Sequence, residues 1–564
     1  MVPPTLVDYD SACRHWSWET ERASLAGLPL GRGLNIAHEA VDRHVTDGHG
    51  DRLAFVFLSR SAARRAITYS QLAALSNRVA GALVRLGVQP GDRVFTLMDR
   101  RLELYITALG TLKAGATYSA LFSSFGPEPI RARLEIGKAR VLVTTPSLYF
   151  RKVKSIRDAL PRLEQVILVT DPVSGEPHNE LPDHALSFAS IIEAAPESFE
   201  IPPTDPQSPA LLHFTSGTTG TPKGALHVHE AAVVHRATGH LALDLRPEDV
   251  YWCTADPGWV TGISYGLVAP LIVGATAIVD REDFEAERWY DILSSEAVNV
   301  WYTAPTAIRM LRRSGPGPAG KRHFPQLRHI ASVGEPLDPE SVRWGIETFG
   351  LPVHDTWWQT ETGGIMIANF RATDNVPGSM GRPFPGIEAA VVRRRGRSLE
   401  IVDASEQAGE LALRSGWPSM FRTYVGAPSR YRECFADGWY LSGDLVRRDE
   451  NGCYWFVGRV DDAIQSAGHL VGPFEVERVM MEHPAVADVV AFGKPDPIAY
   501  EIVAACVVLK TGYEAVDTVR LELLAHGRRR LGPAVAPREI TFLPELPKTP
   551  SGKTLRRLLR HSDS

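Results

Sequence analysis

The chain has 564 residues, well beyond one ordinary domain, so two or more modules with large cores are expected. Its composition is that of a globular protein, 44% hydrophobic and 23% charged, and its 47 glycines and 41 prolines call for many defined turns. A formal net charge of -5 gives no overall case for nucleic acid or an anionic membrane as partner, since either favours a basic face. Five cysteines (Cys13, Cys253, Cys434, Cys453, Cys506) form no C-x-x-C pair, which argues against a disulfide framework or a zinc ribbon and for a reducing cytoplasm. The N-terminus shows no basic region followed by an apolar core. The longest apolar stretch, Gly266 to Val279, is broken by Pro270 and Gly274 and is too short to cross a bilayer, so a soluble protein is expected.

Along the chain, Leu72, Leu75, Val79, Leu83 and Leu86 recur at helical spacing between Tyr69 and Val88. The turn Gln89-Pro90-Gly91-Asp92 then leads into the strand-like 93–97. Buried strands are predicted at 141–144, 165–170 and 328–333, the last after a helix around 306–312. This alternation reads as an α/β architecture. Toward the C-terminus a compact unit follows: a helix at 475–482, strands at 488–492 and 502–509, and a helix at 516–531. A strand-like segment at 453–457 gives way to a charged connector at 458–461, which places a domain boundary there, with residues 1–460 before it and 461–564 after it.

The strongest local signal is Phe214-Thr-Ser-Gly-Thr-Thr-Gly-Thr-Pro-Lys-Gly224, directly after the apolar 210–212. Gly217 and Gly220 let backbone N–H groups approach a phosphate closely, the hydroxyls of Thr215, Ser216, Thr218 and Thr219 add donors, and Lys223 adds a cation. Such a loop could hold a triphosphate. It is not a Walker A loop, because Pro222 stands where the second glycine is needed. His227-Val-His229 could bind metal on a strand, but no third ligand stands at suitable spacing and a structural pair is the better reading. No G-x-S-x-G hydrolase signature competes.

The loop resembles the phosphate-binding signature of the adenylate-forming superfamily, which includes acyl-CoA synthetases, luciferases and peptide-synthetase adenylation domains. Further segments follow in that superfamily's order: Tyr302-Thr-Ala-Pro-Thr306, Ser332-Val-Gly-Glu-Pro336, Asp355-Thr-Trp-Trp-Gln-Thr-Glu-Thr-Gly-Gly364, Ser442-Gly-Asp444, Gly458-Arg-Val-Asp-Asp462 and Pro547-Lys-Thr-Pro-Ser-Gly-Lys553. The resemblance implies a large multi-layered N-terminal domain that binds ATP, AMP and the acid, with a small mobile C-terminal α/β domain. It assigns Mg²⁺ to Glu361, the α-phosphate to Thr360, the ribose hydroxyls to Asp444, and ribose or phosphate to Arg459. Gly334, Glu335, Pro336, Asp355, Thr356 and Trp357 match its nucleotide segments. Lys553 matches the catalytic lysine whose ammonium bridges carboxylate and phosphate during adenylation, and Asp461 occupies the hinge about which the small domain turns. Arg528 and Ala304 are the expected CoA contacts.

Within the superfamily, acetyl-CoA synthetases close the acid pocket with a tryptophan, matched here by Trp358; Val260, Thr261 and Val333 agree with the same pattern, and Trp259 is expected as an aromatic gate. Leu34 to His44 resembles that branch too. The expected reaction is therefore formation of an acyl-adenylate from a small carboxylate, acetate first, and transfer to CoA. Propionate or another short acid, loading of a carrier protein, and a non-catalytic nucleotide binder stay open as alternatives. No carrier domain is apparent after Lys553. The resemblance also makes Lys553 a candidate for reversible acetylation by a partner acetyltransferase and deacetylase. One departure stands out: Leu470 lies where the acetate enzymes often carry arginine.

Overall fold

The computed structural model describes residues 2–60, 64–170, 182, 184–215, 222–315, 322–395, 398–402, 409–460, 464–466, 469–471, 473–546 and 559; for 395, 457–459, 465, 469, 470, 474, 475 and 478 it describes the backbone alone. The helix Tyr69–Arg85 forms where the period required. Its start is fixed by a capping box: Thr68 accepts from the Gln71 N–H, and the Gln71 side chain accepts from the Thr68 N–H. Its apolar face, with Leu72, Val79 and Leu83, buries against the helix Leu102–Lys113.

Two large, mainly parallel sheets make the body of the N-terminal part. One runs from Thr423–Val425 through Lys223–Val228, Pro209–Thr215, Thr117–Leu121, Arg93–Leu97 and Val141–Thr144 to Gln165–Leu168 and Ala185–Ser187. The other centres on the parallel neighbours Val250–Cys253, Val300–Thr303, His329–Ser332 and Val353–Trp357. A third sheet is antiparallel and is built on Gly409–Arg414 and Trp439–Arg448. Their strand ends converge on one cavity. The mixed α/β class expected from the sequence is what the fold shows.

The C-terminal unit has its own sheet, in which Tyr500–Leu509 pairs along its length with Val486–Asp496, and it carries the helices Pro473–Met480 and Asp517–Leu531. It touches the larger part through the helix Pro127–Ile136 and through two hydrogen bonds to its main-chain carbonyls. The Gly126 N–H donates to the Leu531 carbonyl at 3.2 Å, and the Arg309 Nε donates to the Ile498 carbonyl at the hairpin tip at 3.0 Å. Only glycines fit the first contact: a Cβ on Gly532 (φ +81°) would lie 2.1 Å from the Ser124 oxygen, and one on Gly126 would lie 2.3 Å from the Arg530 oxygen. The expected boundary at 460/461 adjoins residues 461–463, which lie outside the described set, as does the hinge candidate Asp461.

Candidate active site

A cavity of about 490 Å³ opens where the three N-terminal sheets meet. Sixteen residues singled out in the sequence line it: Thr215, Lys223, Trp259, Val260, Thr261, Val333, Gly334, Glu335, Pro336, Asp355, Thr356, Trp357, Trp358, Thr360, Glu361 and Asp444. Ser216, Gly217, Thr218, Thr219, Gly220 and Lys553 lie outside the described residues, as do the side chains of Arg459 and Leu470. Ala304 and Arg528 are not among the lining residues. Ala304 caps the helix Pro305–Arg313, and Arg528 is in the last turn of the helix whose end meets Gly126.

The phosphate-loop candidate is positioned by its flanks. Thr215 and Lys223 face each other in the antiparallel pair Pro209–Thr215 and Lys223–Val228, and both line the cavity. The turn carrying Thr360 and Glu361 is held by hydrogen bonds to its carbonyls. Trp417 Nε1 and Ser419 Oγ both donate to the Thr362 carbonyl (2.8 and 2.7 Å), and the His235 ring donates to the Gly363 carbonyl (2.8 Å). Gly363 has φ +68°, and a Cβ there would lie 2.3 Å from the Ser419 oxygen, so glycine is required.

Asp444 is buried, and its Oδ2 accepts from Trp357 Nε1 (2.9 Å) and Gln359 Nε2 (3.0 Å). The Asp355 carboxyl accepts from the Ser332 hydroxyl (2.7 Å), and burial pushes its pKa up to about 7. The Glu335 carboxylate, although part of the cavity wall, is engaged from behind by Thr306 Oγ1 (2.6 Å) and Arg309 Nη2 (2.5 Å). Trp259 packs on Phe122 and Phe125, with ring centroids 5.1 and 5.8 Å apart.

Three residues in the wall were not anticipated. Tyr424 donates its hydroxyl to Glu361 Oε1 at 2.5 Å, and its ring carries the Lys223 ammonium 5.3 Å from its centroid. One aromatic residue thus touches both the acidic and the basic candidate. Gln359 ties Asp444 to the Ser442 carbonyl and accepts from Tyr440. Cys434 lines the wall beside Tyr424, with its thiol pKa pushed up to about 11 by burial. The general signal for Tyr424 was there to read, the strand-forming run Thr423-Tyr-Val425, but its partner strand lies about 200 positions earlier in the sequence.

His227 and His229 are structural, as expected, and all five cysteines are free. Among the described residues no group of three or more His, Cys, Asp and Glu could hold a metal ion. Burial lowers the pKa of His227 to about 4 and of His229 and His235 to about 3. The Nδ1 of His229 accepts the Ile36 N–H, an acceptor role that its protonation would end. As pH falls below the ordinary 6.5 the unfolded chain takes up protons that these folded imidazoles refuse, so each destabilises the fold increasingly down to about pH 4, by about 1.4 kcal/mol per pH unit at the steepest. The thermal midpoint should therefore drop steadily from pH 6.5 to 4.5, and His229→Asn should flatten the slope. An unaltered slope in that variant would contradict the assignment.

Comparison with known proteins gives the same picture over nearly the whole chain. The profile described as AMP-binding enzyme matches residues 42–425, and that described as AMP-binding enzyme C-terminal domain matches residues 475–553. The chain belongs to the AMP-binding enzyme family. Relatives include the acetyl-coenzyme A synthetase of Bacillus subtilis, 43% identical over 557 residues that cover 98% of this chain and 95% of that one. Another is the acetyl-coenzyme A synthetase of Methanothrix thermoacetophila, 36% identical, covering 94% and 83%. Among solved structures, an acyl-CoA synthetase of Brucella canis superposes with a TM-score of 0.73 at 33% identity, covering 98% of each chain. The AMP-binding enzyme fold accounts for the large part with its cavity and for the separate C-terminal unit that closes against it.

Proposed function

We propose that this AMP-binding enzyme is an acetate–CoA ligase that works through acetyl-AMP. In the first step the carboxylate attacks the α-phosphorus of ATP and pyrophosphate leaves; in the second the CoA thiol attacks the acyl carbon and AMP leaves. The observation that carries the choice of acid is the wall of the cavity formed by the Trp358 indole, beside Val260, Thr261 and Val333. A large ring there leaves room for a methyl group and rejects longer chains by overlap. The 43% identity with the Bacillus subtilis enzyme supports the same acid.

The roles follow from charge and position. Lys223 and the loop between Thr215 and Lys223 take the phosphates, Asp444 the ribose, Gly334, Pro336 and Thr356 the base, and Thr360 the α-phosphate. Glu361 suits Mg²⁺ delivered with ATP: it is a cavity carboxylate fixed on one oxygen by Tyr424, and magnesium is usually held by one or two carboxylates plus substrate phosphates. When bound, the ion would offset phosphate charge. Lys553 supplies the cation for adenylation, Arg459 assists at the nucleotide, Asp461 is the hinge, and Arg528 and Ala304 border the CoA path. Acetylation of Lys553 by a partner enzyme would remove that cation and stop the first step. The setting is the cytoplasm; among the described residues no helix is long and apolar enough to cross a membrane.

The test is the specificity constant for acetate, propionate, butyrate and longer acids with ATP and CoA. Acetate is expected to lead propionate by about tenfold or more, the scale of one methylene in a tight pocket. A preference for butyrate or longer would overturn the proposal, and robust CoA-dependent AMP release would exclude a carrier-protein acceptor.

A further inference from the structure

We propose that Tyr302, which does not line the cavity, is the positioning residue that fixes the Trp358 indole and so sets the size of acid admitted. The inference rests on the reading of Trp358 as the acid wall. Trp358 follows the last ladder position of the strand Val353–Trp357, so the sheet does not hold its backbone as it holds that of Trp357. It is half-buried, with one side of its ring in the cavity wall, and a ring in that situation needs a second layer to keep its angle.

Tyr302 provides it. The indole Nε1 donates to the Tyr302 hydroxyl at 3.2 Å, that hydroxyl lies 2.7 Å from Thr356 Oγ1, and Thr356 Oγ1 lies 2.7 Å from the Ser332 carbonyl. A carbonyl can only accept, so Thr356 donates to Ser332. The Tyr302 hydroxyl must then donate to Thr356, which leaves its lone pairs for the indole N–H. The relay has one direction, and each member is satisfied. It crosses three adjacent parallel strands, Val300–Thr303, His329–Ser332 and Val353–Trp357, and ends at the carbonyl just before Val333, another cavity-lining residue. Two parts of the acid wall are thereby referenced to each other through the sheet.

Tyr302 is fully buried, and burial holds its phenol far above the ordinary range, so it remains a donor throughout the working pH range. A second restraint comes from Tyr265, whose ring meets the Trp358 ring edge-on at 5.0 Å. Tyr265 is itself fixed: its hydroxyl accepts from the Ile365 N–H at 2.7 Å and lies 2.8 Å from Thr238 Oγ1. With the Tyr302 hydroxyl removed, the indole keeps its edge contact but loses the bond that sets its tilt. The plain alternative is that Tyr302 is only a well-packed core tyrosine.

The experiment compares Tyr302→Phe and Trp358→Ala with the unaltered enzyme, reading kcat/KM for acetate, propionate and butyrate. Trp358→Ala should move the preference toward the longer acids, and Tyr302→Phe should raise the propionate-to-acetate ratio by about tenfold with the KM for ATP unchanged. If Trp358→Ala leaves the ratio where it was, the wall itself has been misread. If Trp358→Ala shifts the ratio and Tyr302→Phe does not, the inference is wrong and Tyr302 is core packing alone. Should Tyr302→Phe fail to fold, Thr356→Val decides in its place: it removes the acceptor that orients the Tyr302 hydroxyl, and a ratio unchanged in that variant refutes the relay.

Discussion

Lys553→Ala is expected to cut acyl-adenylate formation by about 10²–10³-fold while sparing thioester formation from supplied acyl-adenylate. The ammonium is assigned to the step in which a carboxylate meets a phosphate, where two anions must approach and a fixed cation lowers the barrier. Once the adenylate exists, the carbon under attack is an acyl carbon, and the need for that cation is gone. Pyrophosphate exchange reads the first step and CoA consumption from synthetic acetyl-AMP reads the second. Equal loss of both would show that Lys553 supports the fold or both chemistries, and would sink the assignment.

The second large effect is expected at Arg309. Its guanidinium is mostly buried, with 11% of the side chain exposed, against a Glu335 side chain that is fully buried. Arg309→Met keeps much of the packing volume but removes the guanidinium from a buried carboxylate that Thr306 also engages, which should cost about 3–5 kcal/mol of stability. Because Glu335 stands between Gly334 and Pro336 in the cavity wall, the KM for ATP should rise as well. Adding Glu335→Gln to Arg309→Met should restore most of the stability, since the buried charge that the guanidinium offset is then gone as well. Urea unfolding of the two variants checks this, and a double variant no more stable than the single one would refute the charge argument. Arg309 also holds the Ile498 carbonyl of the C-terminal unit, so the same substitution should loosen the contact between the two parts.

The elements with strong periodicity were legible in the sequence. The helix expected from Tyr69 appears as Tyr69–Arg85, the strand expected at 93–97 as Arg93–Leu97, and the C-terminal helix expected at 516–531 as Asp517–Leu531. The segments 332–336 and 355–364 lead to one cavity because each lies at a strand end and in the turn after it, where side chains project from the sheet. Contacts made across distant strands were not legible. Tyr424 reaches Glu361 and Lys223 only because Thr423–Val425 pairs with Lys223–Val228, placing Tyr424 opposite Ala225. Tyr302 opens one of the motif segments, but its hydrogen bond with Trp358 emerges only from its place in the sheet. Glu335 was read as a nucleotide group from its motif, yet its carboxylate is bound to Thr306 and Arg309, 29 and 26 positions earlier. Short-range pattern finds which segments line a site; it does not find which side chains brace them.

Part of the contact between the two parts runs through main-chain groups at Gly126, Leu531 and Ile498, with two glycines whose role is to have no side chain. Peptide groups are the same whatever residue carries them. Sequence drift elsewhere on either surface can therefore alter the charge and hydration around these bonds while they persist, provided Gly126, Gly532 and Arg309 remain. A single methyl group at either glycine, by contrast, acts as a wedge, holding the C-terminal unit off its seat and leaving each part folded on its own terms.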